Sequence, residues 1–140
     1  EGSNPMNCIL IYSTFPSKEQ AQQAARTLLE EQLAAGANII QAESMFRWQG
    51  KIEQRNEWAV FFQAEHRFYK RIERRIKQLH PDTAPQIVMW RIRDGYTPFL
   101  QWIMDETVRP VLKKEGKEKG KAYRAKKALL LKGEKENGVQ

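Results

Sequence analysis

The chain has 140 residues, 41% of them hydrophobic and 29% charged, which suits one domain with a core of useful size plus a tail. Its single cysteine, Cys8, excludes an internal disulfide framework and suits a reducing compartment, so a cytoplasmic location is expected. No apolar run approaches the roughly 20 residues of a membrane span, and no basic-then-apolar leader is visible, so no membrane partner is expected.

The net charge of +7 is unevenly placed. From Lys113 to Gln140 ten Lys/Arg stand against four Glu, a net of +6 that leaves the first 112 residues near +1. Three segments follow. Residues 1–6 read as an N-terminal extension or cloning remnant, 7–112 as the folded domain, and 113–140 as a basic, Lys-rich tail that is helical in part.

In chain order, Asn7 to Thr14 is a short apolar run that reads as a buried strand, with Cys8, Leu10 and Tyr12 on one face and Ile9, Ile11 and Ser13 on the other. Ser17, with Gln20 three residues on, opens a helix as a capping box. Its apolar stripe runs through Ala21, Ala24, Ala25 and Leu28, and Gly36 is expected to end it in a left-handed conformation. Ala37 to Ala64 then reads as two long strands joined at Gln49-Gly50, since glycine reaches positive φ without steric cost. His66 to Leu79 is a second helix, with Phe68, Ile72, Ile76 and Leu79 inward and a basic outer face that reads as solvated surface. Pro81 stops it. Gln86 to Arg93 is a fourth strand, with Ile87 and Met89 on one face and Val88, Trp90 and Ile92 on the other. Pro98 to Leu112 reads as a further helix that buries Phe99, Ile103 and Val108 with Trp102 near them, and Lys121 to Lys132 as a helix in the tail.

This order predicts an α+β, ferredoxin-like βαββαβ sandwich with a long central hairpin and an extra C-terminal helix. Two helices cover one face of the sheet. The opposite face should be wet, yet Ile40, Val60, Trp90 and their neighbours make it apolar. A contiguous apolar patch of that kind marks an interface, so an obligate oligomer packed sheet to sheet is expected.

The chemistry-bearing residues are few. There is no phosphate-binding glycine loop, no zinc spacing and no nucleophile triad, and no enzyme activity is expected. His80 is the candidate metal ligand, with Glu53 and Asp82 as candidate oxygen donors; the plainer reading of His80 is a helix-terminal residue that interacts with the last carbonyls of its helix. Trp48, Trp58, Trp90 and Trp102 would suit base stacking, but their strands lack interleaved cations, so they read as packing residues. Nucleic acid is expected, if anywhere, at the basic tail alone.

Four strings, in order and at matching separations, carry a resemblance. They are Leu33-Ala34-Ala35-Gly36-Ala37-Asn38-Ile39-Ile40, Phe46-Arg47-Trp48-Gln49-Gly50-Lys51-Ile52-Glu53, Leu79-His80-Pro81-Asp82-Thr83-Ala84-Pro85-Gln86-Ile87 and Phe99-Leu100-Gln101-Trp102-Ile103. Together the chain resembles the CutA divalent-cation-tolerance family from about Ile9 to Ile103. The resemblance implies a homotrimer with sheets packed inward, a link to copper tolerance, and binding of Cu2+ or another divalent cation, with no cofactor required. It makes Phe46, Arg47, Trp48, Gly50, Lys51, Glu53 and Trp58 the expected reach of the hairpin across a subunit boundary. The family's copper ligands fall on Ser13, Leu79 and His80, of which His80 alone is a strong ligand type. Gly36 and Gln86 replace a cysteine and a glutamate of the family pattern. The alternative is a module like the PII signalling trimers, which would bind a small anionic ligand or nucleotide between subunits, with Arg47, Lys51 and the basic second helix as contacts.

Overall fold

The computed structural model describes residues 6–107 and 123–132. The elements run β1 (Cys8–Phe15), α1 (Lys18–Glu30), β2 (Ala34–Trp48), β3 (Lys51–Glu65), a short 3-10 turn (His66–Phe68), α2 (Tyr69–Leu79), β4 (Ile87–Arg91) and α3 (Thr97–Glu106). A further helix, α4, covers residues 123–132. The four strands make one antiparallel sheet in the order β2-β3-β1-β4. This is the expected α+β arrangement, with the two halves of the chain interleaved in a split βαβ pattern.

Local chemistry explains the elements. The backbone N–H of Gln20 donates to Ser17 Oγ at 3.1 Å, and the Ser17 hydroxyl donates to Gln20 Oε1 at 3.0 Å. The first turn of α1 is thus closed by one side chain. At the hairpin, Gln49 and Gly50 both take positive φ, 50° and 81°, as the tight turn between two right-twisted strands requires.

The end of α1 corrects the expectation. The helix stops at Glu30, and Gln32, at φ 58°, takes the left-handed position. Gly36 lies instead in β2, beside a register shift between Ala34 and Gly36. Its missing side chain answers a close approach, since a Cβ there would lie 2.4 Å from Gln63 Oε1 and 3.0 Å from Trp102 Cη2.

The main core lies between the sheet and the pair α1–α2. Ile9, Ile11 and Phe15 of β1 and Val60 and Phe62 of β3 meet Ala21, Ala24, Leu28, Ile72 and Ile76 of the helices. The register places Val60 opposite Ser13 and Ile39, all on this covered face. This corrects the expectation that Val60 lies on the open face: strand parity turns it inward, into the main core. The open face carries Leu10, Tyr12, Ile40, Phe61, Val88 and Trp90. The helix α3 covers one end of it, where Cys8, Leu100 and Ile103 form a second core with Ala35, Ile92, Phe99 and Trp102. The expected extension of α3 to Leu112, with Val108 inward, falls outside the described residues, as do the parts of the tail that flank α4.

Candidate functional site

The distinctive feature is a two-stranded ribbon. The last residue of β1, Phe15, pairs with Trp58. Beyond it, among the described residues, Ala42–Trp48 and Lys51–Glu57 pair only with each other, in seven cross-strand pairs. At about 3.3 Å per residue the ribbon reaches roughly 23 Å past the body. It carries Met45, Phe46, Trp48 and Ile52 as exposed apolar side chains, with Arg47, Gly50, Lys51 and Glu53 exposed around them. Trp58, at its root, differs: it is half-buried against the main core, under the Lys18 ammonium 5.6 Å from its ring.

Where the ribbon leaves the body, a polar cluster ties three parts of the chain together. Glu57 is only 4% exposed, so its charge must be met by protein groups. Burial pushes its carboxyl up, but hydrogen bonds from Ser44 and Thr14 and the adjacent Arg55 guanidinium outweigh this and hold it below the usual glutamate range. Arg55 Nη2 is 3.2 Å from Glu57 and 2.9 Å from Asp82, and bridges the ribbon to the loop after α2. The Asp82 hydrogen bond is the main reason that the Arg55 guanidinium holds its proton above the ordinary arginine value. The ring of Phe46 lies 5.8 Å from the same guanidinium.

His80 sits beneath this cluster, buried and stacked on Phe15 with ring centroids 4.7 Å apart. Its Nε2 is 2.5 Å from the Thr14 carbonyl oxygen, which can only accept, so Nε2 carries the proton. Its Nδ1 then accepts from the backbone N–H of Asp82 at 3.1 Å. The carboxylate of Asp82 is 4.0 Å from Nδ1. Of the oxygen donors considered beside His80, Asp82 is thus brought close, while Glu53 stands on the exposed ribbon opposite Phe46. Ser13 is fully buried on the covered face, and its Oγ has no hydrogen-bond partner among the described residues. Leu79 packs its side chain against the main core. Among the described residues no three His, Cys, Asp or Glu side chains converge as a metal site.

A groove of about 440 Å³ runs between α1 and the β2 edge, lined by Gln22, Ala25, Arg26, Leu29, Ala37 and Ile39 among others. Its lining includes one cation and one carboxylate, Arg26 and Glu30, beside the apolar Ala25, Leu29, Ala37 and Ile39. Across the helix layer, Arg75 donates to Glu31 from both Nε and Nη2, a contact that lowers the Glu31 carboxyl. The single cysteine, Cys8, is buried with its Sγ 3.6 Å from the Leu100 carbonyl oxygen. No described helix is long and apolar enough to cross a membrane.

Sequence reasoning found His80 and the ribbon but missed Thr14, Ser44, Arg55 and Glu57. Glu57 is one of several polar residues in the run Glu53 to Glu57, and two of its partners, Ser44 and Thr14, are 13 and 43 positions away in the chain.

The CutA1 divalent ion tolerance protein family matches residues 9–106. The divalent-cation tolerance protein CutA of Pyrococcus horikoshii is 34% identical over 99 residues, which are 71% of this chain and 97% of that protein. Its namesake from Archaeoglobus fulgidus is 41% identical over 98 residues, 70% of this chain and 95% of that one. Among solved structures, CutA1 from Ehrlichia chaffeensis superposes with a TM-score of 0.71 at 28% identity, over 76% of this chain and 100% of that one. The Archaeoglobus fulgidus structure, described as a periplasmic divalent cation tolerance protein, superposes with a TM-score of 0.70 at 36% identity, over 71% of this chain and 97% of that one. The ribbon, the split βαβ sheet and the family match over 9–106 agree: this chain belongs to the CutA1 divalent ion tolerance family.

Proposed function

We propose that this chain serves divalent-cation tolerance as a non-catalytic homotrimer, with the open sheet faces packed inward and each ribbon laid against a neighbour. One observation carries the proposal. A ribbon of seven isolated pairs is attached to an open face on which Ile40 and Trp90 are each 51% exposed. A two-stranded ribbon alone is marginally stable in water, and an apolar face of this kind is rare on a monomer. Packing three copies sheet to sheet satisfies both. Native mass spectrometry or light scattering at micromolar concentration tests it; a trimer is expected, and a monomer overturns it.

Copper is the cation that the resemblance implies, and His80 the residue. The local bonding does not fit a resident ion there, because the Nε2 proton is given to Thr14 and the Nδ1 lone pair is taken by the Asp82 N–H. Ser13 and Leu79 offer neither thiolate nor imidazole. We infer that His80 serves the fold, as the latch that joins β1 to the loop after α2, and that tolerance does not run through a copper ion held at His80. Copper titration of the parent and His80→Gln proteins is expected to give the same stoichiometry and affinity. Loss of a bound equivalent in a variant that keeps its circular dichroism would restore His80 as a ligand.

The relatives are cation-tolerance proteins, which does not favour the PII-like alternative. A cytoplasmic setting stays in the proposal on the strength of the single buried thiol, Cys8, and cell fractionation with antibody detection tests it.

A further inference from the structure

The family match ends at residue 106, and the relatives compared are already spanned to 95–97% of their length. The helix α4, residues 123–132, therefore stands outside what the family shares. It is nonetheless joined to the body. The Tyr123 ring packs on Phe99 at 5.7 Å and on Trp102 at 6.0 Å. The Lys127 ammonium lies 5.8 Å from the Trp102 ring, and Arg124 pairs with Glu106. One end of α4 is thus held on α3, and the other end carries Leu129, Leu130 and Leu131 at 69%, 65% and 54% exposure. The ten residues of α4 hold four cations, Arg124, Lys126, Lys127 and Lys132, and no carboxylate, within a tail of net charge +6.

We infer that α4 is a docking element for an anionic phospholipid surface, with Lys126 and Lys132, the cations not engaged with α3, attracting the headgroups and Leu129–Leu131 entering the interface. The geometry of the leucines selects this occupant. Consecutive helical residues are about 100° apart, so the three fan across roughly 200° of the helix circumference. A protein groove takes a stripe at i, i+3 and i+4, and so could cover only part of that fan. Nucleic acid would meet the cations but leave the leucines in water. A fluid interface accepts apolar side chains in several directions and rewards nearby Lys and Arg. No spanning segment is needed for such a peripheral contact, so the expectation of no membrane partner is revised on this point alone.

Flotation of the full chain with vesicles tests the inference. Vesicles of phosphatidylcholine alone are compared with vesicles that hold about one-third phosphatidylglycerol, an anionic fraction large enough to attract a polybasic segment. Binding to the anionic vesicles is expected, with little to the neutral ones, and is expected to weaken as salt rises. The triple variant Leu129→Ser, Leu130→Ser, Leu131→Ser is expected to bind about tenfold or more weakly, because each leucine removes apolar area from the interface. These side chains are exposed, so the variant keeps the fold of the body, which circular dichroism checks. Equal binding by parent and triple variant overturns the inference. So does retention on heparin without binding to the anionic vesicles, which would assign the cations to a polyanion.

Discussion

Glu57 shows how one residue acquires a role from partners that are mostly far away in the chain. Its carboxylate is buried, yet it stays charged because Ser44, Thr14 and Arg55 all address it. The sign of the pH effect follows. Its pKa is lower in the folded chain than in the unfolded one, so the stabilisation is complete above the unfolded value of about 4.3 and is lost as pH falls through the folded value. Glu57→Gln is expected to cost about 2 kcal/mol at neutral pH, the scale of hydrogen bonds to a charged group. The gap between parent and variant should narrow on acidification below that unfolded value, as urea titrations at successive pH values would show. A gap that stays constant into strong acid would mean that the charge contributes nothing. None of this is legible from the local sequence. Glu53 and Glu57 stand in the same polar run, on the same strand face, and only the register against β1 and the reach of Arg55 to Asp82 distinguish them.

At the scale of elements, the strands, the capping box and the turn were legible because each depends on residues close in sequence. Ser17 and Gln20 are three apart, and Gln49-Gly50 is a dipeptide. The helix end was not legible. Gly36 follows an alanine-rich helical pattern and resembles a helix terminator, but what requires glycine there is Gln63 and Trp102, one on β3 and one on α3. A long-range approach of that kind leaves no local signal. Gly36→Ala is therefore expected to destabilise by about 1–3 kcal/mol, as overpacking does. The Gln63 amide is not free to swing away without loss, because it donates to Asn38 Oδ1 at 2.8 Å. Denaturant unfolding measures the change. A neutral result would show that Gln63 and Trp102 yield easily, and that Gly36 owes its place to something other than packing.

At the scale of the molecule, the chain divides into a body built on two hydrophobic clusters and a ribbon that lies outside both. The body has a core on both sides of the sheet, under α1 and α2 on one face and under α3 at one end of the other. Among the described residues, no third strand pairs with the ribbon. Tyr12, Phe61 and Trp90 form an aromatic cluster on the open face, with Tyr12 4.9 Å from Phe61 and 6.1 Å from Trp90, and Ile40 lies beside it in the register. Ile40→Asp with Trp90→Asp puts two charges into that patch. If the patch is the seam between copies, the double variant should be monomeric by light scattering while its body keeps native circular dichroism, since neither side chain belongs to the main core. Hydrogen exchange then separates two explanations of the ribbon. In the monomeric variant, amides of 42–57 should exchange fast, because an isolated ribbon opens readily, while the β1–β3 amides stay protected. Slow exchange over 42–57 in a proven monomer would mean that the ribbon is stable by itself, and the need for a neighbour along its length would disappear.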